Sequence, residues 1–228
     1  MHIEPGVVDG AKLILSYATA AAGLGYGAKA TLDAVRCDGL GTIAMRSATT
    51  TMLVFGFFEI LPHYPVGVSE VHLILGSTLF LMFGLAPAAI GLALGLLAQG
   101  LFFEPADLPQ YGMNVTTLLG ALFAMSLMAR RVIPERVAYK DVTYRQALAL
   151  SFAYQGGVVG WVAFWAFYGR GFGADNLGNV AAFGGAYLTV IVVEPLVDLA
   201  VLAATKGLHW LPRGAPKLFQ TRLYRPAA

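Results

Sequence analysis

The run PAAIGLALGLLAQGLFF, Pro87 to Phe103, holds no charged side chain in 17 consecutive positions. At 1.5 Å per residue a helix over this run reaches about 25 Å, close to the ~30 Å hydrocarbon core of a bilayer. Six further stretches are long and predominantly apolar: Leu13 to Ala30, Leu40 to Leu61, Glu70 to Gly84, Met113 to Ala129, Arg145 to Phe167 and Leu177 to Ala204. The third is short and interrupted by glycine. Hydrophobic residues make up 57% of the 228 positions and charged residues 12%, which excludes an ordinary water-soluble fold. The expected class is therefore all-α, a polytopic membrane protein of seven transmembrane helices forming a single domain over residues 1–228. Turns at Pro62 and Pro65, at Pro105 and Pro109, and from Gly171 to Gly178 separate the runs, and Gly84-Leu85-Ala86-Pro87 joins the third to the fourth. The 27 glycines suit close approach between membrane helices.

Loops retained in the cytoplasm carry the excess of lysine and arginine. Lys29, Arg36 and Arg46 flank the first interhelical turn, Arg130, Arg131, Arg136, Lys140 and Arg145 the fifth, and Lys206, Arg213, Lys217, Arg222 and Arg225 lie in the tail. Only Lys12 and Arg170 fall on the other side. Seven crossings with the N-terminus outside and the C-terminus cytoplasmic satisfy this pattern, in a multi-pass protein of the cell's inner membrane. Glu4, Asp9 and Lys12 precede the first apolar run without the basic leader of a secretory signal, and His2 is too large for ready removal of the residue before it, so Met1 is expected to be retained. The single Cys37 excludes an intramolecular disulfide and a thiolate cluster.

Met1-His2-Ile3 is a chelating sequence. The terminal amine, the deprotonated His2 amide nitrogen and the His2 imidazole close two fused rings around one ion, a geometry that suits square-planar Ni(II), Co(II) or Cu(II). A fourth nitrogen completes such a plane. Of the four histidines, His2, His63 and His72 fall toward the outer face, whereas His209, beside Trp210, falls in the tail as an interface anchor. His72 opens the third run slightly inside the membrane, where a lone imidazole needs a partner; hydrogen bonding to a neighbouring helix is the simpler alternative. His63, in Pro62-His63-Tyr64-Pro65, reads as an interfacial loop residue.

Taken together, Met1-His2-Ile3 with Gly6, Ile60-Leu61-Pro62, Gly67-Val68-Ser69-Glu70-Val71-His72, Leu97 to Phe103, and Gly112-Met113-Asn114 resemble the CbiM/NikM family. These are the cobalt- and nickel-binding membrane subunits of energy-coupling factor transporters. Recognisable motifs cover Met1 to Ala129, and the remainder matches by helix count. The resemblance implies a substrate-capture component for a divalent transition metal, Ni(II) or Co(II), and no enzyme activity. Its metal ligands map to Met1 and His2, in a chelating N-terminal segment of residues 1–12, and to His72; Asn114 and Ser69 would support them from behind. Asn114 either orients the N-terminal segment or starts a helix. Implied partners are a coupling transmembrane subunit, an ATPase pair, a small accessory membrane subunit and membrane lipids, with no nucleic acid. The chain has no Gly-x-x-x-x-Gly-Lys-Ser/Thr loop of its own. Two departures stand out: Glu104 to Tyr111 replaces a glycine- and threonine-rich stretch, and Glu70 intrudes before His72. A membrane scaffold of the same fold without metal binding is the alternative.

Other residues have local readings. Glu194 and Asp198, four apart on the seventh run with Arg46 at comparable depth, form either an interhelical ion pair or part of a proton path. Ala44 and Ala48 make a small-xxx-small pair, expected to pack within the chain or, as the resemblance implies, against the coupling subunit. Residues 206–228 mix basic and aromatic side chains in the manner of a cytoplasmic tail lying on an anionic leaflet.

Overall fold

The computed structural model describes residues 3–206 and 217–226, so Met1, His2, His209 and Trp210 lie outside the described residues. Helices dominate: α1 (Leu13–Asp38), α2 (Leu40–Glu59), α3 (Gly76–Phe83), α4 (Leu85–Phe102), α5 (Tyr111–Val132), α6 (Tyr144–Arg170) and α7 (Ala174–Lys206). Four of them, α4 to α7, are apolar and long enough to cross a membrane. The chain is thus a multi-pass membrane protein. Its surface agrees, because Met52, Phe152, Leu188, Val192 and Leu196 are exposed while Arg46, Glu194 and Asp198 are buried. That is the polarity a lipid solvent imposes.

The expectation of a third helix over Glu70 to Gly84 is corrected. Only eight residues, Gly76–Phe83, are helical. They reach about 12 Å, far short of the hydrocarbon thickness. Ahead of them lies a hairpin of β1 (Tyr64–Val66) and β2 (Ser69–Val71), paired antiparallel with Val66 opposite Ser69. Gly67 turns it at φ +65, a value that glycine adopts without strain. Hydropathy registers a buried apolar run but not its conformation. Extended backbone inside a membrane protein is tolerated where protein surrounds it, and Ser69, His72, Ile74, Leu75 and nearly all of α3 are buried.

Contacts sort the bundle's two ends. At one end lie Ile3, the hairpin, and the starts of α1, α5 and α7. At the other, Arg46 donates to Asp38 at 2.7 Å and to the carbonyls of Lys217 at 2.9 Å and Phe219 at 2.6 Å. There Gln220 serves α3. Its backbone N–H donates to Met82 at 2.8 Å, and its side-chain amide to Phe80 at 2.6 Å and Leu81 at 2.8 Å. The carbonyls of Leu81 and Met82 are ones a helix C-terminus leaves without intrahelical partners, while that of Phe80 also accepts the Gly84 N–H at 3.0 Å. Phe219 and Leu223 are buried, so this part of the tail closes the bundle end. Arg46 is therefore committed to the tail. The ion-pair reading with Glu194 and Asp198 is corrected.

Helix packing follows the glycines. A Cβ at Gly91 would stand 2.5 Å from the Thr50 hydroxyl, and one at Gly95 2.6 Å from Val54 Cγ1. This Gly-xxx-Gly face of α4 lets α2 approach at backbone distance. Ala44 and Ala48 are exposed, so the small pair of α2 is not used for packing within the chain. Gly76 is fitted under the Tyr154 ring, whose Cζ would lie 2.3 Å from an added Cβ.

Candidate metal centre

The N-terminal segment returns into the bundle as an added strand. Ile3 pairs antiparallel with Ser69, and the Glu4 N–H donates to the Val68 carbonyl at 3.2 Å. The Ile3 N–H donates to Asn114 Oδ1 at 3.0 Å. Asn114 is buried in the first turn of α5. Of its two sequence readings, orientation of the N-terminal segment is the one this bond realises. Ile3, Val7 and Val8 are all buried, each worth about 1.5–3 kcal/mol of apolar burial. Further along, α6 takes over. Gly169 backs onto Val7 with no room for a side chain, and Lys12 Nζ donates to the Gly169 carbonyl at 2.8 Å while lying over the Tyr168 ring.

His72 follows β2 directly and is 1% exposed. Glu70 Oε2 lies 2.9 Å from its Nε2. A carboxylate there accepts the Nε2 proton and fixes the tautomer in which Nδ1 carries the lone pair. Such a carboxylate behind a histidine orients the ring and raises its basicity toward a metal on the other nitrogen. Glu70, a departure from the resemblance, thus supports His72. Two rings hold the imidazole in place: Phe58 meets it edge-on at 5.3 Å, and His63 stacks on it at 4.8 Å with an 11° interplanar angle. His63 also lies 3.3 Å from the Leu61 carbonyl through Nδ1.

The structure brings Ser69 and Asn114 onto Ile3, with Ser69 fully buried and bridged to it, and His72 lies three residues further along the chain from Ser69. His63 and Glu70 belong to the same cluster, a fact the sequence reading missed for His63. The proline-bounded turn suggests exposure, and only the hairpin's course places its ring over His72. Among the described residues no group of three or more His, Cys, Asp or Glu side chains is arranged to hold a metal ion. The described cluster supplies one oriented imidazole and an anchored segment beside it.

The fold defines a multi-pass helical membrane protein with a buried, carboxylate-backed imidazole at the end of the bundle where the N-terminal segment packs. The chain belongs to the family described as the cobalt uptake substrate-specific transmembrane region, whose model matches residues 2–209. That family is a transporter component. A comparison with curated proteins gives no match. Two solved structures share the fold. A crystal structure of a transition metal transporter is 19% identical, with a TM-score of 0.70 and coverage of 91% of this chain and 93% of that one. A truncated transition metal transporter is 18% identical, with a TM-score of 0.67 and coverage of 92% and 100%.

Proposed function

We propose that this chain is the substrate-capture component of an energy-coupling factor transporter, taking up Ni(II) or Co(II) as cargo in a planar site of four nitrogens. The Met1 amine, the His2 amide nitrogen and the His2 imidazole supply three of them, and His72 Nδ1 the fourth. The observation that carries this reading is the strapping of Ile3 between Asn114 and Ser69, three residues from an imidazole whose tautomer Glu70 sets. The reading requires a free amine on Met1.

The bundle crosses the inner membrane seven times, with residues 69–83 making the third crossing as strand, extended segment and short helix. Seven residues at about 3.3 Å and eight at about 1.5 Å reach up to roughly 35 Å, enough for the hydrocarbon core. The N-terminal site faces outward. Support comes from the bundle's other end, where Arg46, Arg130, Arg131, Arg222 and Arg225 gather. Transport needs partners: a coupling membrane subunit, for which exposed Ala44 and Ala48 offer a close-approach face, an ATPase pair, and a small accessory subunit.

Cargo binding displaces protons from the amine, the amide and the imidazoles, so it weakens in acid. Calorimetric titration of purified protein with Ni(II) and Co(II) is expected to give one equivalent bound at pH 8, and at least tenfold weaker binding at pH 6. His72→Ala is expected to weaken it about 100-fold, the scale of losing a metal-site residue. Undiminished binding by His72→Ala at pH 8 would contradict the site.

A further inference from the structure

The bundle core holds a second polar constellation, separate from the N-terminal site. Glu194 and Asp198 lie four apart on α7, and both are fully buried. Asp198 accepts from the Ser77 hydroxyl at 2.7 Å and from the Thr78 hydroxyl. Both donors sit in the first turn of α3, whose positive dipole end favours an ionised carboxylate. Glu194 Oε2 lies 2.9 Å from Gln155 Nε2 and 2.7 Å from the Ser151 hydroxyl. Every group hydrogen-bonded to either carboxyl is neutral, and among the described residues neither acid enters an ion pair.

The titratable groups around the pair are few. Tyr154 faces Glu194 from α6 and Tyr187 faces it from α7. Glu70 of β2 lies beyond Tyr187, and α3 contributes only hydroxyls. Toward the tail end, Lys206 of α7 is paired with Asp141 at 3.2 Å, and Asp141 with Lys140 at 2.7 Å.

Hydrogen counting separates the two carboxyls. Pro195 has no N–H, so the Ile191 carbonyl four residues before it loses its helical donor. The Ser151 hydroxyl stands 3.3 Å from that carbonyl. Ser151 has one proton and two acceptors, Ile191 O and Glu194 Oε2. If Glu194 is ionised, one of the two goes without the Ser151 proton: either Ile191 is left with no donor or Oε2 keeps Gln155 alone. If Glu194 is a carboxylic acid, its proton bonds to the Ser151 oxygen and the Ser151 proton bonds to Ile191. Asp198 is better supplied, since Thr78 donates to it and Ser77, which also interacts with Glu194, donates to it at 2.7 Å. Glu194 Oε1 and Gln155 Oε1 are buried with no hydrogen-bond partner. That is a tolerable state for a neutral acid's carbonyl oxygen and a costly one for a carboxylate.

We propose that Glu194 and Asp198 form a proton-binding site in the bundle core, which at neutral pH holds one proton on Glu194 while Asp198 stays ionised. A proton from water forms the Oε2–H bond, and no other covalent bond changes. The bound proton leaves the pair with a single negative charge and keeps α3, α6 and α7 joined through Ser77, Thr78, Ser151 and Gln155.

The test is infrared spectroscopy of the full chain in lipid nanodiscs between pH 5 and pH 9. At pH 7 a carbonyl stretch of a protonated carboxylic acid is expected, absent in Glu194→Gln and retained in Asp198→Asn. Absence of that band in the wild type, or its persistence in Glu194→Gln, overturns the proposal. So does one equivalent of tightly held metal that Glu194→Gln loses and His72→Ala keeps, which would make a metal the pair's cation. Thermal unfolding gives a second readout. A folded state that binds more protons than the unfolded one loses stability as pH rises. The wild-type midpoint is expected to fall by several degrees from pH 7 to pH 9, and that of Glu194→Gln, the neutral isostere, to stay level. A level wild-type profile contradicts the site.

Discussion

Gly169→Ala is expected to weaken metal capture at least 100-fold while the helical bundle stays folded. In an unencumbered helix this exchange is favourable by about 1 kcal/mol, so any loss must come from contact. The new Cβ would stand 1.8 Å from the Val7 carbonyl oxygen, 2.8 Å from its carbon and 3.1 Å from Val8 Cγ2. Two of these atoms are backbone, and no rotamer relieves the overlap. The N-terminal segment must leave α6, and with it go the burial of Val7 and Val8 and the strain-free course that brings Ile3 to Ser69. Gly160→Ala on the same helix is the control, since nothing lies within 4 Å of its added Cβ. Calorimetry with Ni(II) reads the effect, and circular dichroism of both variants reads the fold. Wild-type affinity in Gly169→Ala would mean that the segment's seat on α6 has no part in the site.

Asn114→Leu is expected to weaken binding about 10- to 100-fold without altering any ligand. Its amide oxygen accepts the Ile3 N–H at a position with no solvent, and leucine leaves that donor orphaned at a cost of about 1–3 kcal/mol. The penalty falls on the strapped state, the state competent to bind. Asn114→Asp keeps an acceptor at the positive end of α5 and is expected to lose much less. Equal losses in the two variants would point to packing, with the hydrogen bond irrelevant. The same titration decides it.

Six helices were legible as long apolar runs because lipid enforces that pattern wherever a helix faces it. α3 was not, since protein encloses it on every side and the hydropathy of Glu70 to Gly84 reports burial alone. The hairpin ahead of it pairs β1 with β2 around Gly67, and the N-terminal segment, more than sixty positions upstream, joins it at Val68 and Ser69, a contact that no local signal encodes. His72 and Asn114 stand out in the sequence through their motifs, and the bond from Ile3 to Asn114 is visible only in the fold. His63 and Glu70 could not, because their roles arise from the turn that sets one ring on another and one carboxylate behind it. Arg46 shows the limit of depth matching. It lies level with an acidic pair in sequence terms, yet the tail's carbonyls and Asp38 claim it first. Ala44 and Ala48 look like packing residues, whereas Gly91 and Gly95 do the packing.

The central claim is that the chain's own beginning completes the metal site. It is tested most directly by the metal content of protein purified with its natural amine, compared with a form carrying one extra alanine ahead of Met1, after incubation with Ni(II) and Co(II). The expected result is one equivalent of metal in the natural form and none in the extended form, because the added residue displaces the amine from its chelate ring. Equal metal in both forms, or none in either, would contradict it.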